Sequence, residues 1–533
     1  IITINISKIA TMMIFWVAIL LILIVIMVLK GLWNVFMHKR LVQLFPYQLE
    51  KDEIEWNEEY AETLKEKAIS KQEIDDFQLL KVLQKCDFTY TNIGREYMYG
   101  RMLSKQCDHH LLESMVQRYQ NPQILSDTLY HLYQLSKEYD ACLGLFQHSQ
   151  VFSLWEKRLI MCLGFCPIVF IIMWFFLGGL IFLPLCIYAA LMILLNTYYS
   201  QRTKTIVTET MSYCFMIEAL SHLVKHRVFP GEDIQKLKPM LKKAKTYTVL
   251  ARVIYKISKI DVFYFTQTIQ SFFMLSLHQY LILLKHQEDM ESYMLTFYEY
   301  LGTADVALSV RLVRERYVTC LPELIQDKQL SFVEAYHPLI SNPVKNSFST
   351  TRSCMITGSN ASGKSTFLKM IGINMLMAKT LHTCFADEWK CYHYTIHSAI
   401  HMKDDLTSGD SYYVKEIKTL KTMIDDVKEK DCMIFIDEIL RGTNEKERVM
   451  ISQAILTYLF QSSSLILVTT HDLSLVEKFP WIDQYCFRDA IVNDQLSCDY
   501  KIHQGRCTVG NAIALLEIYG YDADIINAIR KPN

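Results

Sequence analysis

Apolar and polar positions fall into three textures along this chain. Residues 9–29 and 159–199 are uncharged and almost wholly apolar. The first stretch is long enough to cross a bilayer core of about 30 Å as one helix. A signal peptide fits it less well, because the run is too long and no small-x-small cleavage site follows. The second stretch has Gly178-Gly179 near its middle and Pro184 just beyond, which predicts two spans joined by a tight turn. A buried soluble hairpin is the alternative.

The second texture is helical. Residues 50–66 carry Glu53, Glu55, Glu58, Glu59 and Glu62 and read as a solvated helix. From Ile74 to Leu145 apolar residues recur at helical spacing. Pro230-Gly231 marks a break, followed by a basic run: Lys236, Lys238, Lys242, Lys243, Lys245, Arg252, Lys256 and Lys259. Anionic lipid, a nucleic-acid backbone and a plain solvated face all suit that run. Residues 272–284 are apolar but too short to span and read as a core helix. The third texture starts near Leu330, where short apolar strands alternate with helices. Residues 354–357 read as a strand, and residues 433–436 and 465–468 read as buried parallel strands.

Charge adds orientation and little else. The 533 residues sum to a net charge of −1, which selects no partner. Hydrophobic residues make up 51 %, and the mean hydropathy of +0.13 agrees with membrane segments. Lys30, Lys39 and Arg40 follow the first apolar stretch. Lys157 and Arg158 precede the second, and Arg202 and Lys204 follow it. The positive-inside rule makes all of these cytoplasmic. The expectation is a multi-pass membrane protein of about three spans, in contact with membrane lipid, whose C-terminal half is cytoplasmic. Fifteen scattered cysteines without a C-x-x-C pair agree with a reducing compartment. The chain begins at Ile1, so either its natural start lies elsewhere or the sequence is a fragment.

The most specific chemistry sits at Gly358, Ser359, Asn360, Ala361, Ser362, Gly363, Lys364, Ser365 and Thr366. These fit G-x-x-x-x-G-K-[ST] between a strand and a helix. The glycines let backbone N–H groups close around phosphates, and the helix N-terminus adds a positive dipole end. Lys364 is placed for the outer phosphates and Ser365 for Mg²⁺. Residues 433–438 end an apolar strand in two carboxylates. Asp437 is the candidate Mg²⁺ support, and Glu438 the candidate for orienting the attacking water. A neighbouring strand ends in Thr469-Thr470-His471, where His471 is placed to sense the terminal phosphate or to serve structure. Between them, residues 404–416 form a polar, turn-rich loop leading into a helix, with Ser411 a candidate N-cap. Cys391, His393, His397 and His401 share one parity and would line one face of an extended strand, a candidate zinc set against a bland strand reading.

Taken together, these motifs resemble the ATPase domain of the MutS mismatch-repair family, most closely its membrane-associated, MutS-like branch. The phosphate loop is similar. So are Asp404 to Glu416, the Asp437-Glu-Ile-Leu-Arg-Gly-Thr443 stretch, Thr470-His471, His337-Pro338, and Gly505, Gly510, Ala514 and Gly520. Thr91-Asn-Ile-Gly94 resembles the family's core weakly. The resemblance implies ATP and Mg²⁺ as cofactors and a homodimer with composite sites. It further implies Ser411 reaching the nucleotide of the partner subunit, Val344 against the adenine, and double-stranded DNA as a further partner. Two departures stand out. The family's second Gly in the Asp-Glu-Ile segment is Leu440. Phe332-Val333-Glu334 has the letters of the family's mismatch wedge but lies just before His337-Pro338, in the wrong domain.

The expected architecture is an α/β P-loop NTPase domain at the C-terminus, preceded by an all-α region with transmembrane helices. The expected boundaries are a transmembrane helix over 1–30, a cytosolic helical region over 31–158, a membrane hairpin over 159–199, a lever-like helical region over 200–329 and the ATPase domain over 330–533. The expected function is a membrane-anchored, mismatch-repair-related ATPase. An ABC-type transport ATPase is the alternative, disfavoured by the missing Leu-Ser-Gly-Gly-Gln signature before Asp437. An ATP-dependent membrane scaffold that never binds DNA is the other.

Overall fold

A computed structural model describes residues 69–138 except 106, then 152–177, 182–249, 273–400 except 360–361, 412–440, 444–492 and 495–506, with a few isolated positions. The chain divides into two units. One comprises residues 1–49, 88–98 and 110–308, the other residues 50–87, 99–109 and 309–533.

The first unit is helical. Helices α1 (Lys71–Asp76) and α2 (Leu79–Cys86) precede it in sequence, and α3 (Asn92–Leu103) enters it. It continues with α4 (His110–Arg118), α5 (Pro122–Glu138), α6 (Leu154–Leu177), α7 (Phe182–Lys225), α8 (Gly231–Tyr247), α9 (Leu275–Lys285) and α10 (Gln287–Arg316). Over 74–138, the described part of the 74–145 stretch, the helical periodicity does make helices. Asp305 on α10 ties the start of α3: its carboxylate accepts from the Tyr90 and Thr91 N–H groups and from the Thr91 hydroxyl at 2.6–2.8 Å. Gly94 leaves room for that carboxylate, because a Cβ there would lie 2.2 Å from Asp305 Oδ2. Helix α8 buries Ile234, Leu237, Leu241 and Ala244 and turns its lysines outward. Lys243 pairs with Asp289, and Lys236 lies over the Tyr300 ring.

The membrane hairpin and the multi-pass localisation are not what the structure shows. Among the described residues, no helix is long and apolar enough to cross a membrane. The described residues of 159–199 instead belong to two helices that start or continue in polar sequence. Helix α6 opens through Glu156, Lys157 and Arg158 and contains Pro167, and α7 runs for 44 residues into the polar segment beyond Tyr199. Part of the apolar stretch packs helix on helix: the Tyr188 hydroxyl donates to the Leu163 carbonyl, and Gly164 lies against His278 of α9. Their outward faces keep Trp155, Ile172, Phe176 and Leu194 exposed. The pattern measured a run of uncharged residues and could not tell helix packing from lipid. The span expected over 9–29 and the acidic helix over 50–66 lie outside the described residues.

The second unit carries two sheets. Strands β1 (Glu323–Ile325), β2 (Leu330–Ala335), β3 (Asn346–Thr350) and β5 (Glu388–Tyr392) form a mixed sheet in the order β1-β5-β2-β3. Strands β4 (Cys354–Thr357), β6 (Thr395–Ala399), β7 (Cys432–Asp437), β8 (Leu465–Thr470), β9 (Asp483–Val492) and β10 (Gln495–Gln504) form the larger one, in the order β10-β9-β4-β8-β7-β6. All its neighbours run parallel except the β9–β10 pair. β4, β7 and β8 are buried along their whole length, which explains their unbroken apolar sequences. Helices α11 (Lys364–Thr380), α12 (Tyr412–Asp426), α13 (Glu445–Phe460) and the short α14 (Leu473–Val476) follow β4, β6, β7 and β8 in sequence.

An aromatic cluster joins the two sheets beneath the phosphate loop. Phe332 stacks on Trp389 at 5.0 Å, and Phe348 and Phe367 close on it. Phe367 meets Phe487 at 5.5 Å, so the first turn of α11 is clamped to β9. Phe332 is 2 % exposed. It is a core residue, in keeping with its misplaced wedge-like letters.

Candidate functional site

The strand register gathers the candidate residues at one end of the larger sheet. Thr357 at the end of β4 pairs with Thr470 of β8, and Asp437 at the end of β7 pairs with Thr469. The carboxyl ends of parallel strands are where open α/β sheets bind ligands, because loops and helix N-termini converge there.

After Thr357 the chain turns back on itself. Gly358 has φ +146°, and a Cβ there would lie 2.7 Å from Ser362 Oγ and 2.9 Å from the Phe487 carbonyl. Gly363 has φ +103° and caps α11. Both conformations favour glycine. The Ser362 hydroxyl donates to the Ser359 carbonyl at 2.8 Å, closing the loop. Lys364 is buried, and its Nζ donates to the carbonyls of Gly358 and Ser359 at 2.7 and 2.6 Å. Asn360 and Ala361 of the loop, and Ser411, lie outside the described residues.

Ser365 and Asp437, far apart in sequence, touch. The Ser365 hydroxyl donates to Asp437 Oδ2 at 2.5 Å, and the Thr469 hydroxyl donates to the other carboxylate oxygen. A hydroxyl and a carboxylate held together in this way are hard oxygen donors suited to Mg²⁺. Next to them, Glu438 has φ +57° and donates its N–H to the Thr469 carbonyl. Its carboxylate is 2.9 Å from His471 Nδ1, with His471 itself about half exposed. The structure therefore brings together Lys364, Ser365, Asp437, Glu438 and His471.

A cavity of about 310 Å³ opens beside the loop. Gly363, Lys364, Ser365 and Thr366 form one wall, and Val344, Ile340, Asn346, Phe487 and Tyr500 contribute others. Val344 is thus on the cavity wall, about 40 % exposed. Asn346 bridges β3 to β10: its amide donates to the Tyr500 carbonyl and accepts from the Ile502 N–H. His337 also lines the cavity. Burial, reinforced by the charges of Lys369 and Lys85, lowers its pKa to about 4, so it faces a ligand as a neutral imidazole.

Sequence reasoning assigned no role to Asn346, Phe487 or Tyr500, which arrive from β3, β9 and β10. Nor did it assign one to Glu416. Glu416 is buried on α12 and accepts the Leu440 N–H at 2.6 Å. Leu440 stands at φ +58°, the left-handed conformation that suits the glycine the motif would place there. The zinc set dissolves: Cys391 is on β5 and His397 on β6, in different sheets, and His397 pairs with Glu73 and Asp426. His401 lies outside the described residues.

Comparison with known proteins agrees with this geometry. The family model for MutS domain V matches residues 354–532. The chain is 29 % identical over 200 residues to mouse "MutS protein homolog 4", covering 36 % of this chain and 20 % of that protein. It is 30 % identical over 244 residues to "DNA mismatch repair protein MutS" of Roseiflexus castenholzii, covering 42 % and 22 %. It is 28 % identical over 180 residues to "Endonuclease MutS2" of Streptococcus mutans, covering 32 % and 23 %. The chain thus spans under a quarter of the length of these relatives. The similarity supports the MutS family and does not extend to a membrane-associated branch of it.

Proposed function

We propose, from the premise that residues 354–532 form a MutS domain V, that this chain binds and hydrolyses ATP in a mismatch-repair-related role. The observation that carries the reading is the continuous arrangement of Lys364, Ser365, Asp437, Glu438 and His471 at adjoining strand ends, beside a cavity of about 310 Å³.

The phosphate loop from Gly358 to Thr366 offers its amides and the α11 N-terminus to the phosphates. Lys364 exchanges its two carbonyl partners for outer phosphate oxygens. Ser365 and Asp437 would hold Mg²⁺, which would neutralise phosphate charge. Glu438 orients the attacking water, and His471 fixes the Glu438 carboxylate from the end of β8. The neutral His337 excludes competing charge from the cavity, and Val344 packs against the adenine. In this reading a homodimer completes each site, with Ser411 reaching the partner subunit's nucleotide, and double-stranded DNA is the ligand whose handling ATP turnover drives.

The test is phosphate release by the purified chain with Mg²⁺ and ATP, without DNA and with matched or mismatched duplex. We expect turnover that responds to DNA, and a loss of ATP affinity of about tenfold to a hundredfold in Lys364→Ala, the size of one or two charge-assisted hydrogen bonds. A chain with no measurable affinity for adenine nucleotides would overturn the proposal. ATPase activity indifferent to DNA would remove its DNA part alone. A transport ATPase of the ABC kind finds no support in the relatives named above, which are MutS proteins.

A further inference from the structure

Three imidazoles converge in the helical unit, well away in sequence from the phosphate loop. His131 comes from α5, and His222 and His226 come from the last turn of α7 and the residue just past it. One nitrogen from each lies within 4.8 Å of the other two. His131 and His222 are stacked at 4.6 Å, and His226 approaches His131 at 5.6 Å between ring centres.

The surroundings are those of a ligand set. The His226 N–H donates to the His222 carbonyl, so the helical turn continues and both side chains share one face. A His pair four apart on a helix presents two nitrogens to one ion. Two carboxylates stand behind them. His226 Nδ1 is 2.9 Å from Asp127 Oδ2, and His222 Nε2 is 3.4 Å from Glu218 Oε1. A carboxylate on one ring nitrogen fixes the tautomer and leaves the other nitrogen's lone pair for a metal. The turn after α7 is held as well. Arg118 of α4 donates to the Val228 carbonyl at 2.7 Å and the Arg227 carbonyl at 2.5 Å, with Arg227 at φ +56°.

We propose that His131, His222 and His226 bind one Zn²⁺, with Asp127 and Glu218 as the carboxylates that orient them. Three neutral imidazoles suit a borderline first-row cation, and a fourth position stays open to water. Nitrogens bound at 2.0–2.1 Å around a tetrahedral ion lie about 3.3 Å apart. The side chains therefore close by about 1.5 Å, and a stacked ring turns on its χ angles. All three are partly exposed, which permits that movement. The ion would cross-link α5 to the end of α7, adding to the His226–Asp127 pair that already joins them.

The full-length chain, dialysed against chelator, is titrated with Zn²⁺ by calorimetry and with Co²⁺ by visible absorption. We expect one Zn²⁺ per chain at this site and the ligand-field bands of four-coordinate Co²⁺. His131→Ala and His226→Ala should each weaken Zn²⁺ binding by more than tenfold. Asp127→Asn should weaken it by about 10–100-fold, the usual cost of removing such a partner. His503→Ala, a histidine paired with Asp499 in the other unit, and Asp437→Ala should leave the Co²⁺ bands in place. Absence of those bands in the wild-type chain overturns the proposal whatever the variants do. Equal Zn²⁺ affinity in wild type and the His131→Ala, His226→Ala double variant overturns it too.

Discussion

Glu438 Oε1 and His471 Nδ1 lie 2.9 Å apart at the ends of adjacent parallel strands. Glu438 is largely buried and His471 is half exposed, so the pair joins the floor of the site to its rim. Glu438→Gln keeps the shape and removes the charge that orients water. Turnover should fall by about 10²–10⁴-fold, the range of a lost general base, while ATP affinity stays within about threefold. His471→Asn should cost less, because it frees the carboxylate without removing it. Single-turnover phosphate release with separately measured ATP binding decides the matter. Wild-type turnover in Glu438→Gln would end the role given to that residue.

Leu440 shows where a motif departure has a physical consequence. A leucine in the left-handed region carries about 1–2 kcal/mol of strain. Here it is fully buried at φ +58° and gives its N–H to Glu416. Truncating a buried leucine costs about 2–5 kcal/mol, more than the strain a glycine would relieve. Leu440→Gly should therefore destabilise by about 1–3 kcal/mol. Leu440→Ala keeps the strain and loses the packing, so it should be the less stable variant by about 1 kcal/mol. Urea unfolding of the two variants reads that order. Alanine more stable than glycine would mean that φ is not positive at this position.

How much of this was legible in the sequence depended on whether the signal was local. The phosphate loop, Asp437-Glu438 and Thr470-His471 announce themselves because a strand end, a turn and a few side chains sit within one segment each. Asn346, Phe487 and Tyr500 were invisible because a cavity wall is assembled by sheet order, and nothing near Tyr500 says that β10 will lie beside β3. The hairpin was misread because hydropathy records what a helix is made of and not what it packs against, as Tyr188 and Gly164 do here. Histidine parity failed in a similar way. Cys391 and His397 share a parity but not a strand.

Phe332 offers a prediction that separates motif letters from structure. It stacks on Trp389 and touches Phe348 and Phe367, the last of which anchors the start of α11. Phe332→Ala should cost about 3–5 kcal/mol of stability, the range for a buried aromatic ring. ATP binding should weaken through Phe367, and any preference for mismatched over matched duplex should survive. A stable Phe332→Ala chain that loses only that preference would return the residue to a wedge role.

His397 sets a pH dependence of stability in the ATPase unit. Burial disfavours its cation, but the Cys432 sulfur and the Glu73 carboxylate outweigh burial and push its pKa up to about 9. Glu73 Oε1 lies 3.4 Å from Nδ1, and Asp426 Oδ2 lies 2.9 Å from Nε2 as an ion pair without hydrogen-bond alignment. The folded chain thus holds this proton more tightly than the unfolded chain, whose histidine titrates near 6.5. The stabilisation is fully present below about pH 6.5 and is lost as pH rises through about 9. A shift of this size corresponds to about 3 kcal/mol. His397→Gln removes the titrating group while keeping a donor, so its stability should vary less than wild type between pH 6.5 and 9. Denaturant midpoints across that range test it, and parallel slopes for the two proteins would show that the imidazole is not charged in the fold.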